Sequence, residues 1–222
     1  QFMLKTDWVL TSQNYVGFVL GKNEETNNYF GEYLNFYLSE SSSMYFDFRH
    51  EQGSAAYHPK KSQWGYTELT QDKDNHDFKS IGTVGLRFEA SNWDYRLEYF
   101  YNQPGYNKDE YSTALASTHQ LSPAIINNIK RFAKPGLELY GQQYFYASVR
   151  ATDFLNIKEL SGYLKYIHSA QDSSAAIITD LEKNISDSWT GYIEYTQYLG
   201  DDTSELSLQQ YWQAFAGAKW NI

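Results

Sequence analysis

The chain has 222 residues, with 18 basic and 27 acidic side chains, a formal net charge of −9, no Cys and 21 Tyr; aromatic residues make up 18% of it, yet its mean hydropathy is −0.64. The missing Cys excludes a disulfide scaffold and a Cys-ligated metal centre, and the aromatic load excludes disorder. The acidic balance disfavours nucleic acid as a partner, and the length fits one large domain or two small ones; one domain over residues 1–222 is expected.

No apolar run approaches the roughly 18 residues that a membrane-spanning helix needs. The chain opens at Gln1 with neither a charged nor an apolar leader region, so the expectation is a removed signal peptide or a fragment. A closed barrel is the other structure that spans a bilayer. Its mark is alternation over segments of about 10 residues with aromatic residues at both ends, and its average is hydrophilic because every second residue faces inward.

Alternation of this kind runs through the chain. Phe2, Leu4, Thr6, Trp8 and Leu10 share one face, with Lys5 and Asp7 opposite. Val16, Phe18 and Leu20 follow, then Phe30, Leu34, Phe36 and Leu38 against Tyr33, Asn35 and Tyr37. Met44, Phe46 and Phe48 face away from Tyr45, Asp47 and Arg49. Gly82, Val84, Leu86 and Phe88 oppose Thr83, Arg87 and Glu89, and Trp93, Tyr95, Leu97, Tyr99 and Tyr101 oppose Asp94, Arg96 and Glu98.

In the second half, Leu137, Leu139, Phe145, Ala147 and Val149 oppose Glu138, Tyr140, Gln142, Tyr144 and Tyr146. Leu160, Gly162, Leu164 and Tyr166 oppose Glu159, Ser161, Tyr163 and Lys165; Ile177, Thr179 and Leu181 oppose Asp180 and Glu182. Trp189, Ile193, Tyr195 and Leu199 oppose Thr190, Glu194 and Thr196. Trp212, Ala214, Ala216, Ala218, Trp220 and Ile222 close the chain opposite Gln213, Lys219 and Asn221. The pattern predicts about eleven strands. Glu32 and Gln143 fall on the apolar face, which places them near a rim or marks a register slip.

The connections alternate in kind. Thr11 to Asn14, Ser39 to Ser43, Ala90 to Asn92 and Asn184 to Asp187 are tight, whereas two long insertions fall near 52–79 and 102–135. Outer-membrane barrels pair short periplasmic turns with longer extracellular loops, so both insertions are expected outside. One short helix is predicted near 122–133, capped by Ser122 with Pro123 at its first position and an apolar stripe of Ile125, Ile126, Ile129 and Phe132. It would constrict the lumen or cover the mouth.

The alternating strands, the aromatic flanks and the last strand, Tyr211-Trp212-Gln213-Ala214-Phe215-Ala216-Gly217-Ala218-Lys219-Trp220-Asn221-Ile222, resemble a Gram-negative outer-membrane β-barrel of porin type over the whole chain. The resemblance implies an all-β, antiparallel transmembrane barrel of about 12 strands or a portion of a larger barrel, since single-chain bacterial barrels have even strand numbers. It also implies that the last strand is an assembly signal, though such strands usually end in an aromatic residue and this one ends in Ile222. Segment 63–70 is the candidate for an extra strand, either in the wall or in a hairpin with 78–86.

The expected lumen lining is Lys5, Asp7, Asp47, Arg49, Arg87, Glu89, Asp94, Arg96, Glu98, Glu138, Tyr140, Tyr144, Arg150, Lys165, Asp180, Glu182, Glu194 and Lys219. Such a face sets solute preference or forms cross-strand pairs that hold the wall. Inward Tyr residues suit a wet wall and can stack on sugars. Trp8, Trp93, Trp189, Trp212 and Trp220 are expected at the membrane interface.

No nucleophile, phosphate-loop or metalloprotease motif is present, and His50, near Asp47 and Glu51, is the one arguable base. The acidic loop Asp72 to Asp77 lacks the Gly and terminal Glu of an EF-hand. No catalytic residue, metal or cofactor is therefore assigned. The expected partners are the outer-membrane lipid bilayer and small hydrophilic solutes, and the expected role is a channel. The alternatives are a docking barrel within an envelope complex and, third, an outer-membrane enzyme; a soluble β-sandwich or lipocalin-like binder stands beside them.

Overall fold

A computed structural model of the chain describes residues 2–22, 28–53, 57–61, 67–71, 76–118, 139, 141–201, 204–206 and 211–220. The strands are β1 (Phe2–Val9), β2 (Tyr15–Lys22), β3 (Asn28–Ser39), β4 (Ser42–Gln52), β5 (Tyr57–Lys61), β6 (Thr67–Gln71), β7 (Phe78–Ala90), β8 (Trp93–Asn102), β9 (Gln143–Ala151), β10 (Leu160–Ser169), β11 (Ala175–Ser186), β12 (Trp189–Leu199) and β13 (Trp212–Trp220). One α-helix, α1 (Lys108–Thr118), precedes β9. No helix among the described residues is long and apolar enough to cross a membrane.

Among the described residues, eleven strands form one sheet in the order β1-β2-β3-β4-β7-β8-β9-β10-β11-β12-β13, and β5 pairs with β6. Three of the tight turns, Thr11 to Asn14, Ser39 to Ser43 and Ala90 to Asn92, lie where the sequence places them; the fourth, expected at Asn184 to Asp187, falls at 187–188, because β11 stays paired through Ser186 opposite Trp189. In the first, the backbone N–H groups of Leu10 and Thr11 donate to the Asn14 carbonyl, and the Thr11 hydroxyl accepts from the N–H of Gln13 and of Asn14. Of segment 63–70, residues 67–70 are described and belong to β6, which among the described residues pairs with β5, Tyr57 opposite Gln71, and not with 78–86. The helix predicted near 122–133 lies outside the described residues.

Helix α1 begins earlier in the same insertion, on a signal the sequence reading passed over. The Asn107 side-chain oxygen accepts from the N–H of Asp109 and Glu110, and the Glu110 carboxylate accepts from the Asn107 N–H. This is a reciprocal capping box.

The chain divides into two compact units. The first comprises Gln1–Asn35, Phe46–Thr83 and Phe100–Gln143; the second comprises Phe36–Tyr45, Val84–Tyr99 and Tyr144–Ile222. In the first, β1 pairs with β2 from Phe2 opposite Lys22 to Val9 opposite Tyr15, and β2 pairs with β3 through Phe18 opposite Glu32. In the second, β9 to β13 form antiparallel ladders, with a register shift between Asn184 and Ser186 on β11.

Burial is inverted relative to a water-soluble protein. In the second unit Trp93, Leu97, Phe145, Leu164, Ile193 and Trp212 are exposed, whereas Ser148, Ser169, Thr190 and Thr196 are buried. Directly opposed residues share a face, so the pairs Trp189–Trp220, Ile193–Ala216 and Tyr195–Ala214 define one apolar exposed face. A large apolar exposed face with a polar covered one is what a strand between lipid and lumen requires.

Several inner-face tyrosines lie flat over glycines of the adjacent strand. A Cβ on Gly17 would stand 2.2 Å from Cζ of Tyr33, and one on Gly85 would stand 2.3 Å from Cζ of Tyr45. Only glycine leaves room for that ring. The hydroxyls then reach carboxylates beyond the glycine strand: Tyr33 donates to Asp7 and Tyr45 to Glu98.

Outside the sheet, the β5–β6 hairpin is tied to α1 by His58 Nδ1 at 3.0 Å from Glu110 Oε1, with the His58 ring edge-on to Tyr106. Burial raises the Glu110 carboxyl, but the hydrogen bonds from His58 and Asn107 outweigh it and hold the group below its ordinary value of 4.5.

Two outcomes are expected. Replacing Gly85 by Val displaces the Tyr45 ring and loses the Glu98 hydrogen bond. That bond contributes about 1–2 kcal/mol at a partly exposed site, so the urea midpoint for loss of heat-modifiable gel migration falls, and Tyr45→Phe reproduces most of the loss. The Glu110 pair stabilises hairpin docking above the carboxyl's ordinary pKa and is lost as pH falls through the lower folded value. Hairpin amides in Glu110→Gln should therefore exchange hydrogen faster than wild type at neutral pH, and the difference should vanish well below pH 4.5.

Candidate functional site: the charged inner face

Strand registers test which of the expected lining residues share a face. Asp180 stands opposite Glu194 and Tyr163, Glu182 opposite Tyr192, Tyr163 opposite Arg150, and Thr190 opposite Lys219. All of these lie on the face away from Ile193 and Trp220. In the first unit Lys5 and Asp7 stand opposite Val19 and Gly17, away from Trp8. Glu138 and Tyr140 lie outside the described residues.

In the second unit, Arg87 Nε lies 3.1 and 3.2 Å from the two Asp94 oxygens and its Nη2 lies 2.8 Å from Oδ2. Arg96 adds a contact to the same carboxylate at 3.3 Å, and Glu89 pairs with Arg87. Asp94 is thus held by two guanidinium groups. A forked guanidinium fits a carboxylate with two parallel bonds and orients it. Nearby, the Tyr146 and Tyr163 hydroxyls are 2.9 Å apart.

A second group surrounds Lys165. Its Nζ lies 2.7 Å from Asp180 Oδ2 and 4.3 Å from the centroid of the Tyr163 ring. Asp180 and Glu194 are like charges directly opposed, an arrangement that is unfavourable unless a cation intervenes; Lys165 supplies one to Asp180. The other Asp180 oxygen, Oδ1, is buried with no hydrogen-bond partner. Lys219 reaches across Tyr192 to Glu182 at 2.7 Å, with its ammonium 5.0 Å from the Tyr192 centroid. Tyr144, only 1% exposed, donates to the Glu205 carboxylate at 2.7 Å.

The first unit repeats the scheme more sparsely. Lys5 lies 3.7 Å from Asp7 and over the Tyr33 ring. Arg49 lies 2.6 Å from Glu51 and over Tyr29. Asp47, Arg150 and Glu194 have no ion pair among the described residues. The expected interface residues Trp8, Trp93, Trp189, Trp212 and Trp220 are all exposed. Trp189 and Trp220 stack at 6.4 Å near one end of β12 and β13, and Trp8 packs edge-on against Phe18.

The charges are legible in the sequence, but their partners, Glu205 among them, are set by the tertiary structure. No group of potential metal ligands occurs among the described residues.

The Glu32 misfit is not a register slip. Phe18 opposite Glu32 and Leu20 opposite Phe30 keep the carboxylate on the apolar face, where its oxygen lies 3.1 Å from His50 Nε2.

No protein-family profile and no curated relative matches the sequence. Solved structures do share its architecture. The chain superposes on OccAB1 of Acinetobacter baumannii with a TM-score of 0.55 at 10% identity, covering 98% of this chain and 56% of that one. It superposes on OccD3 (OpdP) of Pseudomonas aeruginosa with a TM-score of 0.52 at 8% identity, covering 99% of this chain and 56% of that one. The chain thus spans a little over half the length of each. Both are outer-membrane porins, and the antiparallel fold of this chain is the porin fold.

Proposed function

We propose that the chain forms wall of an outer-membrane channel through which small hydrophilic solutes pass passively in a Gram-negative bacterium. The observation that carries this is the two-faced sheet within a porin fold: apolar side chains exposed on one face, charges and tyrosines on the other. The exposed face meets lipid, with Trp residues at its margins. The charged face meets water and solute, where interspersed Arg, Lys, Asp and Glu set preference by charge. The long insertions 52–79 and 102–135 lie on the extracellular side, as longer loops do in such barrels.

One observation favours a second reading, a docking barrel with a closed lumen: the inner-face charges largely neutralise one another. Reconstitution of the folded protein in planar bilayers separates the two. Discrete single-channel currents are expected, and a folded protein that carries none overturns the channel in favour of the docking barrel. Within the channel reading, Lys165→Gln removes the cation facing Asp180 and makes the inner face more negative. The reversal potential in a KCl gradient should then move toward cation preference, while Glu182→Gln should move it the opposite way.

A further inference from the structure

On the apolar face of the first unit sits a polar trio that the channel does not use. His50 on β4 lies between Glu32 on β3 and Ser80 on β7: Nε2 is 3.1 Å from Glu32 Oε1 and Nδ1 is 2.7 Å from Ser80 Oγ. His50 and Glu32 are partly covered, at 18% and 28% side-chain exposure. Ionisable groups on a lipid-facing surface are costly, and a paired one points to function.

We propose that Glu32, His50 and Ser80 form a serine acyl-hydrolase site that opens onto the lipid-facing surface and takes fatty-acyl esters of membrane lipids. The proposal rests on the assignment of the apolar face to lipid and does not depend on conduction through the lumen.

An ionised Glu32 only accepts hydrogen bonds, so it selects the tautomer with the proton on His50 Nε2 and leaves Nδ1 free as a base toward the Ser80 hydroxyl. The imidazole is further clamped by stacking. Its centroid lies 4.4 Å from that of Phe30 at an interplanar angle of 21° and 6.2 Å from that of Phe48. Phe30 packs edge-on with Phe78. These rings supply an apolar bed for an acyl chain.

The third requirement is a donor for the oxyanion. The Gln103 side-chain carbonyl accepts from the Ser80 N–H at 2.9 Å, and the Gln103 N–H donates to the Ser80 carbonyl. The Gln103 carboxamide is thereby held beside Ser80, and its NH2 takes the donor's role in the proposed site.

His50 is two residues from the end of β4, and Ser80 is the third residue of β7, so at about 3.4 Å per residue both lie roughly 7 Å from their strand ends.

The chemistry balances without a cofactor. Ser80 Oγ attacks the ester carbonyl carbon while its proton passes to His50 Nδ1, and the oxyanion accepts from Gln103. Collapse breaks the bond to the lipid alcohol, which leaves with the proton from His50. Water, deprotonated by His50, then attacks the acyl-Ser80 ester, releasing the fatty acid and restoring Ser80. Glu32 is a positioning residue.

The test uses the full chain, folded in detergent and checked by heat-modifiable migration. A long-chain alkyl fluorophosphonate should label Ser80, mapped by mass spectrometry in the wild type. Fatty acid should be released from phosphatidylcholine mixed micelles or from lipopolysaccharide, and the arm that is cleaved identifies the source. Ser80→Ala should lose labelling and at least 100-fold of the release. Glu32→Gln should lower kcat with little change in KM, and Glu32→Asp should restore part of it. A folded wild type with neither Ser80 label nor release in either arm overturns the proposal, as does undiminished release by Ser80→Ala. A folded protein that carries no current yet labels at Ser80 fails the channel reading alone.

Discussion

The contact of a tyrosine ring with a glycine on the neighbouring strand governs how the inner face is built. Each such glycine weakens its own strand by giving up a side chain to pack. The ring that covers it recovers contact area and carries its hydroxyl to a carboxylate beyond. Tyr33 crosses Gly17 to Asp7, and Tyr45 crosses Gly85 to Glu98. On β12, Tyr192 lies over Gly217 of β13. One contact therefore ties three strands at a stated offset. A shift of one residue would put a Cβ beneath the ring and turn the tyrosine toward the apolar face.

With rings laid flat, charged side chains are pressed into lateral contact, and ion pairs follow. Arg87 and Arg96 converge on Asp94, Lys165 shields Asp180, and Lys219 crosses Tyr192 to Glu182. Such pairs are only partly covered, so their energetic weight is modest. Their larger effect is to set the sign and position of charge along the inner face. Asp47, Glu194 and Arg150 are charges there that have no ion pair among the described residues.

The opposite face obeys the reverse rule. It is apolar and exposed, so Glu32 and His50 stand out on it. His50 is bonded to both Glu32 and Ser80, and Glu32 to His50, which offsets the cost of polar groups there. His168 lies on the apolar face too, stacked on Tyr166 and Phe145, but its Nδ1 is buried without a partner and it belongs to no comparable chain of donors and acceptors.

Strand positions and faces were legible because period-2 alternation is a local property of the chain. The tight turns were legible for the same reason, being short polar segments between alternating runs. The pairing of β6 with β5, rather than with 78–86, was not legible, because both candidates lie at similar separation and neither carries a deciding pattern. Helix α1 was within reach: Asn107 and Glu110 spell a capping box. The apolar stripe after Ser122 drew the reading to the later segment.

What the sequence by itself determined is the two-faced character of the strands, since alternation is local and dictates which residues share the apolar face and which the charged one. It also singled out Glu32 as misplaced. Only the tertiary structure decided what that residue meets. His50 lies 18 residues from Glu32, and Ser80 lies 30 from His50, on three strands whose register depends on ladders and ring–glycine contacts along the sheet. No local pattern encodes that alignment, and the same holds for every ion pair on the inner face, because strand pairing brings together residues whose separation in the chain carries no periodic signal.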